Sequence, residues 1–131
     1  MTATRPEAPA ALAITFLYYR DLARAEAFYR DVMGFPLAID QGWAKIMTIR
    51  EGACLGLVDE SRGMHRAAEE KPVQLCLRVP DVDAWRAWAL GAGVAGLSEM
   101  FENDALGIRA FVMEDPEGYQ IEIQTPTRAD A

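Results

Sequence analysis

Apolar and polar residues alternate most clearly near the C-terminal end of the sequence. The apolar set is Tyr119, Ile121 and Ile123, and the polar set is Gln120, Glu122 and Gln124. A strand with this pattern has one apolar face and one face on which two amides flank a carboxylate. Pro116 and Gly118 in the preceding residues 115–118 predict a tight turn. The polar face would meet water in a surface strand, so its role depends on the rest of the chain.

Two helices are predicted, and each begins at an aspartate that can cap it. Apolar residues follow Asp21 and Asp81 at helical spacing. The two apolar series are Leu22, Ala25, Tyr29 and Val32, and Val82, Trp85, Ala89 and Ala92. We expect helices over residues 21–33 and 81–92, each ended by glycine.

Short strands surround the two helices in the same order. Strands are predicted at residues 12–19, 35–40, 43–50 and 54–58, and again at residues 72–79, 94–101, 107–114 and 119–125. A polar loop, residues 59–71, separates the two sets, with one helical turn expected at residues 65–70. The predicted fold class is α+β, with two repeated β-α-β-β-β modules that form a curved mixed sheet around a concave cavity. The modules cover about residues 12–58 and 72–125 of a single domain, residues 1–131.

Composition and charge narrow the choice of partners. The 131 residues carry a formal net charge of −7, which argues against nucleic acid because phosphate binding depends on clustered Lys and Arg. The sequence lacks an apolar run long enough for a membrane span and a signal-peptide pattern. We therefore expect a cytoplasmic protein without a membrane partner, in which Cys54 and Cys76 are free thiols.

Three stretches of the sequence match a known pattern. They are Asp21-Leu22 with Ala27-Phe28-Tyr29-Arg30-Asp31-Val32-Met33-Gly34-Phe35, then Leu77-Arg78-Val79-Pro80-Asp81-Val82, and finally residues 115–123. With the duplication, they make residues 12–124 resemble the vicinal oxygen chelate superfamily, which includes glyoxalase, bleomycin-resistance and extradiol-dioxygenase proteins. The resemblance implies the fold given above. It leaves the activity open, because the superfamily contains isomerases, lyases, dioxygenases, transferases and metal-free binding proteins.

The resemblance also implies where a metal ion would bind. The family's four ligand positions hold, in chain order, Ile14, Gly56, Gln74 and Glu122. Gln74 and Glu122 alone offer donor atoms, and the His ligands that favour iron, zinc or nickel are missing. We expect no cofactor and no tightly held transition metal. The alternative is a weak divalent site at Gln74 and Glu122 that a loop residue, His65 or Glu60, completes.

Alternation along the strands predicts the other residues of the cavity. The candidate ligand-binding residues are Phe16, Tyr18, Gln74, Cys76, Arg78, Gln120 and Gln124, and Glu122 is the candidate catalytic residue. Arg78 is expected either to hold an anionic group or to pair with Glu122 or an exposed carboxylate. His65 is expected to be solvated, with a role as a lid as the alternative.

Two functions of different class are consistent with these residues. The first is a metal-independent protein that binds a small aromatic or polycyclic molecule in the concave cavity. The second is a glyoxalase-like lyase or isomerase, in which Glu122 is a general base or a ligand of a reduced metal site. Ile14 and Gly56 favour binding, whereas Glu122 favours an enzyme. We prefer the binding protein, and the resemblance together with the open strand edges predicts a homodimer.

Overall fold

The computed structural model describes residues 3–7 and 10–131, and these form two four-stranded mixed sheets. The first sheet contains β1 (Ala13–Tyr19), β2 (Leu37–Asp40), β3 (Ala44–Arg50) and β4 (Ala53–Asp59) in the order β1-β4-β3-β2. The second contains β5 (Gln74–Arg78), β6 (Phe101–Asn103), β7 (Ile108–Glu114) and β8 (Gln120–Pro126) in the order β5-β8-β7-β6. In each sheet the first strand pairs with the last in parallel, and the other pairs are antiparallel. The predicted α+β fold of two repeated modules is confirmed.

A helix follows the first strand of each module, α1 (Leu22–Ala27) in the first and α2 (Val82–Gly91) in the second. Each is capped as predicted, because the carboxylate of Asp21 or Asp81 accepts a hydrogen bond from a backbone N–H of the first turn, at 3.1 and 3.0 Å. Neither helix has the length and apolar character that crossing a membrane requires, and the same holds throughout residues 3–7 and 10–131.

The second half of the first predicted helix is a π-helical turn, Phe28–Val32. The backbone N–H of Met33 donates to the carbonyl of Phe28 at 3.2 Å, five residues back. The apolar spacing that predicted one α-helix does not reveal this extra residue, because Tyr29 stays buried in either geometry. Gly34, with φ of +76°, ends the segment as expected.

Two local predictions are wrong. The strand expected at residues 94–101 is replaced by β6 at Phe101–Asn103, because Gly96 turns the chain with φ of +65°. The helical turn expected at residues 65–70 is an irregular loop instead. The guanidinium of Arg66 holds that loop by donating to the carbonyls of Glu60 and Gly63, at 2.7 and 3.0 Å.

Both sheets direct one side toward a single shared core. Its residues include Leu17, Tyr19, Leu55 and Leu57 of the first sheet, Phe111, Met113, Ile121 and Ile123 of the second, and Ala25, Tyr29, Val82 and Ala89 of the helical segments. The opposite side of each sheet is directed away from that core, because alternate side chains of a strand leave on opposite sides. We refer to these two sides as the first and second open faces.

The turn before β8 fastens the two modules together. The carboxylate of Asp115 is 2% exposed and accepts hydrogen bonds from the hydroxyls of Tyr19, at 2.5 Å, and Tyr29, at 2.9 Å. Its other oxygen accepts from two backbone N–H groups of the turn, at 2.9 and 3.0 Å. Because both tyrosines belong to the first module, this network fixes the start of β8 against that module.

Candidate functional site

A strip of polar side chains lies on the second open face. The register of β5 with β8 pairs Gln74 with Gln120, Cys76 with Glu122, and Arg78 with Gln124. The residues between them, such as Leu75, Ile121 and Ile123, pack into or against the core, so alternation leaves the polar residues on the other side. The structure therefore brings six of the predicted site residues together as three neighbouring pairs, which we call the polar strip.

Glu122 lies at the centre of the polar strip. Its Oε2 accepts a hydrogen bond from Nε2 of Gln124 at 2.5 Å, and the thiol of Cys76 donates to the same oxygen at 3.6 Å. Within residues 3–7 and 10–131, Glu122 forms no salt bridge, and Oε1 has no hydrogen-bond donor. Glu122 is thus a carboxylate that is held on one side and is available for a further donor on the other.

Arg78 does not act as the counter-ion of Glu122. Its Nε donates to Oε1 of Gln124 at 2.8 Å, and its Nη1 donates to the backbone carbonyl of Ala131 at 2.8 Å. The predicted alternative in which Arg78 pairs with Glu122 is therefore wrong. The alternative in which Arg78 holds an anionic group of a ligand stays a prediction.

Cys76 serves as a hydrogen-bond donor in this environment. Partial burial raises the pKa of its thiol, and the negative charge of Glu122 raises this pKa further. A thiol with a raised pKa is protonated at neutral pH, and so it is a poor nucleophile. Cys76 and the buried Cys54 are both free, as the sequence predicted.

The first open face is apolar at the equivalent positions. The register of β1 with β4 pairs Ile14 with Cys54, Phe16 with Gly56, and Tyr18 with Val58. The ring of Phe16 lies so close to Gly56 that a Cβ at position 56 would be 2.4 Å from Cδ1 of the ring. Glycine inside a strand often marks such a close approach. The Phe16 ring therefore fills the space that a side chain at position 56 would need.

The loop of residues 59–71 covers one end of the first open face. The imidazole of His65 meets the ring of Tyr18 edge-on, with 5.2 Å between ring centroids. A Cβ at Gly63 would lie 2.8 Å from Cε1 of Tyr18, so the loop backbone also packs closely against this ring. Glu60 is engaged within the loop, where its Oε2 accepts from the backbone N–H of Ala67 at 3.1 Å. His65 is exposed, but it contacts a predicted cavity residue.

The residues at the family's ligand positions do not fit a divalent metal. Ile14 and Gly56 have no donor atoms in their side chains, and the Phe16 ring fills the space beside Gly56. In the part of the chain that the structure describes, no group of three or more His, Cys, Asp or Glu side chains is arranged to hold a metal ion. Open catalytic metal sites usually take three such ligands. That the purified protein carries no tightly bound metal stays a prediction.

Three clefts touch the polar strip at its edges, and one of them, of about 570 Å³, lies between Gln74, Gln120, Lys71 and Glu114. Gln74 and Gln120 border a cleft of about 240 Å³ that also contacts Leu17, Leu55 and Tyr119. Cys76 and Arg78 border a cleft of about 620 Å³ that also contacts Met33, Arg50 and Trp85. Phe16, Tyr18 and Glu122 line none of these three clefts. One chain therefore carries the two halves of the predicted cavity on separate open faces.

Two structural contacts were missed from the sequence. The first is the seating of Phe16 on Gly56, for which the glycine in the middle of a strand was the available signal. The second is Tyr119, whose hydroxyl accepts from the backbone N–H of Tyr18 at 3.1 Å and donates to its carbonyl at 3.0 Å. The alternation of β8 places Tyr119 on the apolar side, but the docking of the two modules decides which backbone its hydroxyl meets.

Comparisons with known proteins agree with this architecture. Residues 11–123 match the family model described as Glyoxalase/Bleomycin resistance protein/Dioxygenase superfamily. A lactoylglutathione lyase from Agrobacterium tumefaciens is similar, with TM-score 0.71 and 24% identity over 89% of this chain and 94% of that one. The fosfomycin resistance protein FosX from Listeria monocytogenes gives TM-score 0.73 and 15% identity, with coverages of 92% and 96%. A glyoxalase/bleomycin resistance protein/dioxygenase from Nocardioides gives TM-score 0.75 and 18% identity, with coverages of 95% and 88%. The curated proteins contain no match.

Proposed function

The chain belongs to the glyoxalase/bleomycin resistance protein/dioxygenase superfamily, and we propose that it is a homodimer that binds a small organic molecule in a cavity shared between protomers. One observation carries the proposal: both sheets use their other side for a single core. The two open faces of a chain therefore lie on the sides of the sheets that are opposite its own core. A second copy is the simplest partner that can cover them.

Exposed apolar surface supports pairing between copies. Phe16 and Ile39 on the first open face are 45% and 42% exposed, and such apolar patches commonly mark interaction sites. The strands β1 and β5 lie at sheet edges, so each has one unpaired side. A two-fold axis that lays the first open face of one protomer over the second open face of its partner creates two equal cavities.

The two walls of such a cavity differ in chemistry. The wall from the first sheet presents the side chains of Ile14, Phe16 and Tyr18, and the wall from the second presents the polar strip. An apolar pocket with a few convergent polar groups suits a small molecule that has an aromatic part and a hydrogen-bonding part. We propose that this molecule binds without a metal ion. The free thiols suit a reducing cytoplasm.

Mixed dimers test whether the cavity is shared. We expect the native protein to sediment as a dimer and to enhance the fluorescence of the neutral aromatic probe N-phenyl-1-naphthylamine. Phe16→Asp damages the first open face and Cys76→Trp fills the second, so each variant alone should give little enhancement. Each mixed dimer contains one native cavity, so mixing the two variants should restore between roughly a quarter of the native signal, if pairing is random, and roughly half, if the damaged faces allow mixed dimers only.

Two other results would contradict the proposal. If a cavity lies within one chain, mixing the two variants restores nothing. If the native protein is a monomer at micromolar concentration and does not enhance the probe, the proposal is wrong. Circular dichroism of each variant shows whether it is folded before it is mixed.

A lyase or isomerase that uses Glu122 is the second candidate. The observation that favours it is the free Oε1 of Glu122, since a carboxylate that faces an apolar cavity can accept a proton from a bound substrate. Lactoylglutathione and fosfomycin, the compounds in the names of two similar proteins, are the first substrates to assay. Turnover that the Glu122→Gln variant loses would place this candidate first, and a lack of turnover with both compounds leaves binding as the preferred function.

A further inference from the structure

Register places Glu122 and Phe16 in the middle pair of the parallel strands on each open face. Cys76 and Glu122 are the middle pair of β5 with β8, and Phe16 and Gly56 are the middle pair of β1 with β4. The two modules have the same strand order, so these pairs are equivalent positions. In the shared cavity, on which this inference rests, they face each other across the two-fold arrangement. The centre of the cavity thus holds one carboxylate opposite one aromatic ring.

Covering Glu122 requires a positive partner. A carboxylate that leaves water without a compensating charge is strongly destabilising. Across the described residues 3–7 and 10–131, Glu122 has no cationic partner, and Arg78 is committed to Gln124 and Ala131. The other charged residue that the register places on this face is Glu114, opposite Gln120. Lys71 borders the same cleft as Glu114 and offsets part of its charge, whereas the net charge of −7 keeps the overall potential negative.

The opposing wall favours an organic cation over a metal ion. A metal ion needs further donor atoms, but the space beside Gly56 is filled by the Phe16 ring. The face of an aromatic ring attracts ammonium groups through its quadrupole. Phe16 is held in place by its contact with Gly56 and is still 45% exposed, so the ring is accessible.

The geometry points to an organic ammonium compound as the ligand, with its charged nitrogen between Glu122 of one protomer and Phe16 of the other. The ammonium donates to Oε1 of Glu122, and the apolar remainder of the ligand lies against Ile14 and Tyr18. The organic cation thereby takes the central place that a metal ion would take if donor side chains were present on both walls.

Three probes of similar shape and different charge test this assignment. Isothermal titration of the dimer compares 1-naphthylmethylammonium, the neutral 1-naphthylmethanol and the anionic 1-naphthylacetate. We expect the cation to bind at least about tenfold more tightly than the alcohol and the anion to bind most weakly, because hydrogen bonds to charged groups are strong. Glu122→Gln should abolish the preference for the cation. Glu51→Gln, which removes an exposed carboxylate from the turn between β3 and β4, should leave it unchanged.

A matched pair of glycine variants tests the aromatic wall. Gly56→Ala introduces a Cβ that collides with the Phe16 ring, whereas Gly91→Ala introduces a Cβ into open space. We expect Gly56→Ala to weaken cation binding about threefold or more and Gly91→Ala to leave it unchanged. Circular dichroism and sedimentation confirm that each variant is a folded dimer.

Several results would overturn the inference. These are equal binding of the alcohol and the cation by the native dimer, a cation preference that survives Glu122→Gln, or stoichiometric zinc, iron, nickel or manganese in the untreated protein that Glu122→Gln removes. A native dimer that enhances N-phenyl-1-naphthylamine but shows no charge preference refutes the ammonium ligand and leaves the shared cavity standing. A monomer that binds none of these probes refutes both.

Discussion

Residues outside the two open faces also fix the position of the candidate site. Asp115 does not belong to either open face, but its carboxylate joins two tyrosines of the first module to the turn that starts β8. Its four hydrogen bonds satisfy a buried charge that would otherwise be costly. The position of Glu122 on β8 therefore depends on a network formed by residues of the first module.

The two buried tyrosines predict loss of stability at alkaline pH. Burial raises the pKa of Tyr19, and the charges of Tyr29 and Asp115 raise it further; burial and Asp115 also raise the pKa of Tyr29. A raised folded-state pKa means that the folded protein retains protons that the unfolded chain releases. The contribution of the two tyrosines to the free energy of unfolding is fully present below about pH 10, the ordinary pKa of tyrosine. Above that pH it decreases by about 1.4 kcal/mol per pH unit for each tyrosine.

Urea unfolding between pH 9 and pH 11, followed by tyrosinate absorbance, measures this decrease. The slope is the decrease in the free energy of unfolding per pH unit. We expect Tyr29→Phe to reduce it by the contribution of one tyrosine, about 1.4 kcal/mol per pH unit. The explanation is wrong if Tyr19 and Tyr29 ionise near pH 10 while the protein stays folded.

Removal of the Asp115 carboxylate should be more damaging than removal of one tyrosine hydroxyl. Asp115→Ala leaves two buried hydroxyls and two N–H groups without their acceptor, so we expect a loss of about 3 kcal/mol or more in the free energy of unfolding. Tyr19→Phe removes the hydrogen bond to Asp115 and a longer one, of 3.5 Å, to the Tyr29 hydroxyl, and should cost about 1–2 kcal/mol. Urea denaturation at pH 7 compares the variants, and equal effects would show that the network does not act as described.

At the scale of elements, the sequence predicted which side of a strand each side chain occupies better than it predicted where each strand begins and ends. The alternation of Tyr119, Ile121 and Ile123 gave the correct side for Glu122, because a period of two fixes every side chain once the core side is known. The strand at residues 94–101 was misplaced, since a turn at Gly96 depends on contacts with β7 that the local pattern does not encode. The π-helical turn was missed because burial of Tyr29 suits either helix type.

The positions of the candidate residues on their strands were predictable, but their arrangement relative to one another was not. Alternation identified the residues of the polar strip, and the register then showed which of them are direct neighbours. The hydrogen bond from Arg78 to Gln124 instead of an ion pair with Glu122 depends on side-chain geometry that sequence spacing does not contain. The direction of the two open faces depends on how the modules dock, which is decided by contacts far apart in the chain.

The glycine of the last turn gives a prediction about β8 as an element. Gly118 has φ of +88°, a conformation that side chains with a Cβ rarely adopt. Gly118→Ala should therefore lower the free energy of unfolding by about 1–2 kcal/mol, although open space surrounds the position. Gly91→Ala, at the end of α2 and also in open space, should be neutral or slightly stabilising. Urea midpoints that shift equally in the two variants would contradict this account.

At the scale of the whole molecule, the duplication divides the chemistry between two copies of one module. The first copy has an aromatic ring seated on a glycine at the position where the second has a cysteine paired with a glutamate. Neither wall is a complete site, and their shared core lies on the other side of both sheets. Dimerisation is therefore the step that creates the site in our proposal, and stability and function should depend on it together.

Thermal unfolding measures this dependence directly. If the folded chain pairs through its open faces, mass action raises the melting temperature with protein concentration; a hundredfold increase is worth about 2.7 kcal/mol per dimer, or on the order of 5–10 °C for a dimer of this size. Phe16→Asp should abolish this dependence and still fold, because Phe16 lies outside the shared core. Glu51→Gln should behave like the native protein. A melting temperature of the native protein that does not change with concentration, or the same dependence in Phe16→Asp, would refute pairing through these faces.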